Sequence, residues 1–296
     1  MSHKTISNVV IAGGTGRLGP PTIKHLVKNG FRVSVLTRNS SSAKLAPEVD
    51  VIEADYTSAK TLTPSLEGRG FDAIRHHSQP PRVRRIGDYI ASSGERWYLS
   101  SHPIILWCFS RQSRDSQHAV HEDQAASINT GIFLDWVLDE DIFVGLSGKA
   151  PTRVADGGDI PMSATALDDI GKAISAVLLK PYETVNKLYY IHTVVMTQNQ
   201  VLGYAREAAP DAVFAVEQVD TKVLVEAAWK RYNEGIRDRV SVRDFVIRAS
   251  YGMGNGFFPK TDNEFLGIKQ WSDEELKEEI FRRVKANPPV SLKATE

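Results

Sequence analysis

The chain has 296 residues, 42% of them hydrophobic and 24% charged, with 36 basic and 36 acidic side chains. That length and balance describe a globular protein able to bury a sizeable core, and the neutral net charge argues against nucleic-acid or membrane-surface partners. The single cysteine, Cys108, excludes an intrachain disulfide framework, and with no apolar leader behind Met1 and no run of membrane-spanning length the expectation is a cytoplasmic protein.

Residues 9–12 form a continuous apolar run, the pattern of a strand buried on both faces of a parallel sheet. Gly13, Gly16 and Gly19 follow at intervals of three, and Ile23, Leu26 and Val27 then fall on one helical face. Strand, glycine turn and helix in that order form a phosphate-binding turn. Gly13 permits the tight bend, Gly16 lets a pyrophosphate approach the backbone, and Gly19 lets helix and strand pack closely, with the helix N-terminus attracting the anion. Pro20 and Pro21 suit a first helical turn, where a missing N–H costs nothing.

Asn29-Gly30 supplies a left-handed stop for this helix, and residues 31–37 read as the second strand, ending at Arg38. A carboxylate at that position usually binds the ribose of NAD, whereas a cation suits the additional 2′-phosphate of NADP. The alternative for Arg38 is a solvated surface arginine. Arg17 and Lys44 are further candidates for the same anion. Residues 49–54 read as a third strand with Asp55 at its end, placed either to touch the adenine or to cap the following helix over 58–66. A fourth strand begins at 71–74, and the alternation predicts a doubly wound parallel sheet with ligands at the carboxyl ends of its strands.

Residues 127–133 read as a later strand leaving through a turn. Beyond it, Phe133 and Trp136 either line an aromatic pocket or pack into the core. From Ala150 the pattern becomes α+β, with helices over 165–179, 223–233, 240–249 and 273–285 and strands over 189–192 and 213–219. Ser272 and Glu275 form a capping box for the last helix. Gly252, Gly254 and Gly256 lack the strand–turn–helix context of a nucleotide site and predict a flexible loop, a lid over substrate. His118 and His121 lack a paired cluster for metal, and adjacent Ser101 and His102 do not specify hydrolase geometry, so neither chemistry is assigned.

Two blocks, Gly13-Gly14-Thr15-Gly16-Arg17-Leu18-Gly19 with Arg38 beyond it, and Ser127-Ile128-Asn129-Thr130-Gly131-Ile132-Phe133-Leu134-Asp135-Trp136, resemble the NmrA-like, isoflavone-reductase-like family of atypical short-chain dehydrogenases, in particular its fungal branch. Asp156-Gly157-Gly158, Asp169-Ile170-Gly171-Lys172, Thr197-Gln198-Asn199 and Asp262-Asn263-Glu264-Phe265-Leu266-Gly267 extend the likeness, which covers residues 8–74 and 127–285. The resemblance implies an α/β protein: a Rossmann domain over 1–149 and a smaller α+β substrate domain over 150–296, interleaved with the first. It also implies NADP(H) and reduction of a small, often aromatic or secondary-metabolite, compound. The expected cofactor residues are Gly13, Gly14, Thr15, Gly16, Arg17, Leu18, Gly19, Arg38, Lys44, Asp55, Gly131 and Phe133, and the expected substrate pocket comprises Phe133, Trp136, Gly254, Phe257 and Phe258.

Residues 75–126 depart from the family. Arg75-His76-His77-Ser78 stands where a small-residue cofactor loop is expected, the Pro-Ser-Glu-Phe-Gly-like motif is absent, and no lysine lies between Lys60 and Lys149 to serve as the family's proton-transfer group. The segment holds five of the eight histidines, the only cysteine and seven arginines. It is expected to be disordered or misfolded, translated from an altered reading frame or a misassigned splice junction, with a divergent functional insertion as the competing account. No catalytic residue is assigned. An NADP-binding regulator or catalytically impaired homologue therefore stands beside the oxidoreductase reading.

Overall fold

The computed structural model describes residues 6–40, 45–54, 65–66, 68–71, 73–76, 104–108, 124–252 and 254–290. The first half opens with β1 (Asn8–Ala12), α1 (Gly19–Lys28), β2 (Arg32–Thr37), β3 (Asp50–Glu53) and β4 (Ala73–His76). Strands β5 (Ile104–Cys108), β6 (Gln124–Asn129) and β7 (Ile132–Phe133) follow, then helix α2 (Leu134–Asp139). Next come β8 (Thr152–Ala155), β9 (Met162–Thr165), α3 (Leu167–Leu179), the single turn α4 (Pro181–Thr184), β10 (Leu188–Tyr190) and β11 (Val194–Met196). The chain continues through α5 (Gln198–Ala208), β12 (Val216–Val219), α6 (Thr221–Asn233), α7 (Arg239–Ile247), α8 (Asn263–Leu266) and α9 (Asp273–Ala286).

Seven strands form the large sheet, in the order β10-β6-β5-β4-β1-β2-β3. Within it lies the 3-2-1-4-5-6 arrangement of a Rossmann fold, whose switch point sits at β1. Strand β1 pairs in parallel with β2 (Val9 opposite Val33) and with β4 (Val10 opposite Ile74). Successive β1 side chains serve two cores. Val9 and Ile11 pack with Leu26 of α1 and Ile170 and Ile174 of α3, whereas Val10 and Ala12 pack with Leu36 and Ile52 on the other face. This double burial explains why β1 reads as an unbroken apolar run.

One strand departs from the parallel expectation. β5 runs antiparallel to both neighbours, with His76 opposite Ile105 and Ile104 opposite Ile128. Antiparallel neighbours need no helical crossover, and β5 is set apart by this pairing from the parallel β4, β1, β2 and β3. Of the compositionally unusual segment, residues 75–76, 104–108 and 124–126 are in strands, and its other residues lie outside those described. The expected helix over 58–66 is described only at 65–66.

Boundaries move in several places. Thr165, expected as the start of a helix, instead ends β9; it is fully buried, and its hydroxyl donates to the carbonyls of Thr130 and Ile191, which satisfies it across two strands. Helix α6 starts early because Asp220 caps it through Lys222 N–H at 2.7 Å. Helix α7 gives way after Ile247 to a π-helical turn over Arg248–Gly252, and the strand expected over 213–219 is confined to 216–219. Both halves of the Ser272–Glu275 capping box are formed.

Small elements complete the second half: a three-stranded sheet β11-β9-β7 and the parallel pair β12-β8. Leu134 and Val137 of α2 join Val154, Met162, Met196, Val201, Leu276 and Ile280 in a core of their own. Helices α1 and α3 meet at Gly171, where a Cβ would stand 2.6 Å from the Pro21 carbonyl oxygen, so only glycine permits this approach. Among the described residues no helix is long and apolar enough to cross a membrane.

Candidate functional site

The carboxyl edge of the large sheet gathers most of the expected residues. Gly13 leaves β1 with φ of +79°, a conformation that glycine adopts without strain. The turn then closes on itself, Gly16 N–H donating to the Gly13 carbonyl at 3.1 Å and Gly19 N–H to the Gly16 carbonyl at 2.9 Å. The N–H groups of Arg17 and Leu18 find no acceptor among the described residues. Two unspent amides beside a helix N-terminus form an anion cradle.

Each glycine has its own steric reason. A Cβ on Gly19 would overlap the Gly14 carbonyl, and one on Gly14 would come within 2.7 Å of both Val35 methyl carbons on β2. Gly16 differs: a Cβ there would meet the Gly13 carbonyl oxygen at 3.4 Å, an ordinary contact. The fold itself thus tolerates a methyl group at Gly16. The sequence motif alone does not separate these roles.

On one side of the turn, Arg38 follows β2 and is exposed. Near it, Ser40 donates through both hydroxyl and backbone N–H to Glu53 at the end of β3, holding that carboxyl below its ordinary value. Lys44 and Asp55 lie outside the described residues. On the other side, β6 ends at Asn129, Thr130 follows, and Gly131 turns the chain with φ of +61° into β7. A Cβ on Gly131 would overlap the Ser163 carbonyl. From β1 to β6 is three strand spacings, about 14 Å at ~4.8 Å each.

Arg17 does not stand free. Its guanidinium pairs with Glu140 and, at 3.5 Å, with Asp139 at the end of α2. Arg283 of α9 reaches the same helix, pairing with Asp139 and with Asp135 at 3.4 Å. Two arginines from distant parts of the chain therefore fix α2, the helix that carries Trp136. The Trp136 side chain remains 44% exposed, while Phe133 is half-buried against the main core.

The loop after the π-helical turn, expected as a flexible lid, is hydrogen-bonded to the small sheet. Ser163 N–H donates to the Gly256 carbonyl at 2.8 Å, and Phe258 N–H donates to Ser163 Oγ at 3.0 Å. Gly254 (φ +67°) makes the turn, Phe257 is partly exposed, and Phe258 is buried edge-on against Tyr190 with centroids 5.1 Å apart. Behind this loop, His192 Nδ1 lies 3.0 Å from Ser163 Oγ. Neither Ser163 nor His192 was singled out in the sequence. The available signal was the place of His192 at the end of the strand expected over 189–192.

Comparison with known proteins agrees with this architecture. Residues 9–92 match the family model described as the NAD dependent epimerase/dehydratase family. Oxidoreductase poxI of Penicillium oxalicum is 20% identical, the alignment covering 92% of this chain and 93% of that protein. Isoflavone reductase superposes with a TM-score of 0.56 at 14% identity, covering 93% of this chain and 99% of the other. Triphenylmethane reductase of Citrobacter sp., solved in complex with NADP(H), gives a TM-score of 0.57 at 14% identity, covering 92% and 99%. Fold and glycine turn define the class: an α/β protein with a Rossmann-type sheet, whose residues 9–92 are similar to the epimerase/dehydratase family. Within that class, the isoflavone-reductase-like, NmrA-like resemblance read from the motifs is supported by the fold shared with isoflavone reductase and by the fungal oxidoreductase relative.

Proposed function

We propose that this chain is a cytoplasmic NADP(H)-dependent oxidoreductase acting on a small organic molecule, of the kind found in secondary metabolism. The carrying observation is the glycine turn, whose Arg17 and Leu18 N–H groups, at the N-terminus of α1, have no acceptor among the described residues. Those donors fit a pyrophosphate, and the exposed Arg38 at the end of β2 fits a 2′-phosphate. Thr15 and the glycines 13, 14, 16 and 19 shape the cradle, with Lys44 and Asp55 assigned to the adenine side. Bound there, the nicotinamide gives or accepts a hydride.

The chain's own residues would orient the substrate and exclude water from it. Gly131 and Phe133 border the cofactor side, and Phe133, Trp136, Gly254, Phe257 and Phe258 form the proposed substrate wall. Aromatic faces suit an aromatic or conjugated substrate, buried by its ring rather than by charge. The NADP(H) complex of triphenylmethane reductase supports the cofactor assignment by fold analogy.

A second reading, an NADP-binding regulator or impaired homologue, rests on a specific feature. Strand β5 begins, rather than ends, at the site edge, and no lysine lies between Lys60 and Lys149. The two readings separate in one experiment. NADPH and NADH are titrated by fluorescence, and cofactor oxidation is then followed with a panel of enones, ketones and aromatic ethers. Tight NADPH binding with substrate-dependent oxidation supports the enzyme, and binding without oxidation across the panel supports the regulator. Failure to bind either dinucleotide overturns both.

A further inference from the structure

We propose that His192 is a proton-sensitive positioning residue: through Ser163 it clamps the loop carrying Phe257 and Phe258, and protonation of its imidazole releases that loop. The proposal builds on the substrate wall assigned above, but the clamp belongs to the protein without cofactor or substrate and is tested in that state.

The hydrogen-bond inventory leads to this assignment. Phe258 N–H donates to Ser163 Oγ at 3.0 Å, so the hydroxyl proton must point elsewhere. His192 Nδ1 lies 3.0 Å from the same oxygen and is placed to accept it. The ring's other nitrogen then carries the proton and donates to the Gln270 side chain. Donors and acceptors pair without remainder only when the imidazole is neutral. A protonated ring has two N–H groups and can only donate to Ser163, so the serine hydroxyl proton loses the acceptor it has among the described residues, inside a fully buried site.

The backbone keeps the ring from turning away. His192 N–H donates to Asn263 Oδ1 at 3.2 Å, and Asn263 Nδ2 donates back to the His192 carbonyl at 2.7 Å. The clamp joins three parts of the fold: the end of β10, strand β9 and the 254–258 loop, whose Gly256 carbonyl also accepts Ser163 N–H. With Ser163 at 0% and His192 at 4% exposure, this serine–histidine pair is sealed from substrate and acts through the loop instead of as a nucleophile.

No compensating charge is bonded to the ring. Among the described residues Ser163 and Gln270 are its polar partners, both uncharged, while Asn263 bonds the His192 backbone. Of the carboxylates bonded to residues flanking His192 in the chain, Asp262 accepts Tyr190 N–H and Asp169 on α3 accepts the Thr193 hydroxyl. Burial accordingly holds the imidazole below its ordinary value, only partly countered by the Gln270 hydrogen bond. The sign follows. Below the ordinary histidine value of about 6.5 the unfolded chain binds a proton that the folded protein resists, so the clamp is intact at neutral pH and loosens as pH falls.

The test is hydrogen exchange of the apo-protein at several pH values, with protection of the Phe258 amide corrected for the intrinsic exchange rate. Wild type should lose about tenfold or more in protection on acidification from pH 7.5 to 5, while the α3 amides keep theirs. His192→Asn places an acceptor that does not titrate near the Nδ1 position, so it should retain protection and lose the pH dependence. Ser163→Ala should lose protection at every pH. Equal pH dependence in wild type and His192→Asn, or none in wild type, overturns the proposal, and so does a His192 ring that titrates at or above the ordinary value by NMR. Failure of the clamp leaves NADPH binding untouched, and failure of NADPH binding leaves the clamp measurable.

Discussion

Gly16→Ala and Gly171→Ala make the same chemical change and should have opposite consequences. At Gly171 the new Cβ would lie 2.6 Å from the Pro21 carbonyl, so α1 and α3 must move apart by roughly 0.5–1 Å to restore van der Waals contact. Overpacking of this kind costs about 1–3 kcal/mol, or roughly 2–12 °C in Tm at the 2–4 °C per kcal/mol typical of larger domains. At Gly16 the nearest atom is a carbonyl oxygen at 3.4 Å and φ is not positive, so the fold should lose no more than about 0.5 kcal/mol. The methyl group instead projects where a pyrophosphate must approach the Arg17 and Leu18 amides. Each charge-assisted bond there contributes about 1.5–3 kcal/mol, and losing one weakens NADPH binding by roughly 10- to 150-fold. Thermal unfolding and fluorescence titration of both variants measure the two quantities separately. Gly16→Ala binding NADPH as tightly as wild type would refute the assignment of the phosphate cradle, and Gly171→Ala melting with wild type would refute the packing argument.

Arg38→Ala should bring NADPH affinity down to that of NADH, a loss of roughly 10- to 150-fold for one charge-assisted contact, measured by titration with both cofactors; equal affinities in wild type would sink the 2′-phosphate assignment. Turnover with any substrate should fall well short of an ordinary 10 per second, because a missing positioned acid typically costs about 10²–10⁴-fold; robust turnover would direct attention to Tyr98, Ser101, His102 or His118 as donor. Ser272→Ala removes the acceptor for Glu275 N–H at 3.2 Å and should cost about 1 kcal/mol in urea unfolding, with NADPH affinity unchanged.

The sequence by itself determined those features that depend on neighbours along the chain. The apolar run of β1, the glycine spacing, the prolines of α1, the Asn29-Gly30 stop and the Ser272–Glu275 box are all local rules, and each is formed as read. A comparable signal was available at Thr197 and Gln200, whose capping box starts α5, and went unread because the helix's apolar face is short. Tertiary structure decided what depends on pairing between distant segments. The antiparallel direction of β5 follows from its partners, since five apolar residues carry no information about direction. Thr165 closes a strand because the Thr130 and Ile191 carbonyls need its hydroxyl, and Arg17 turns to α2 because Asp139 and Glu140 are brought beside it. The Ser163–His192 clamp was likewise invisible: 29 positions separate two residues brought together where the chain enters β11, which pairs with β9. Hydrogen bonds between remote groups follow the path of the backbone in space, and that path is set by the burial of both cores rather than by any local motif.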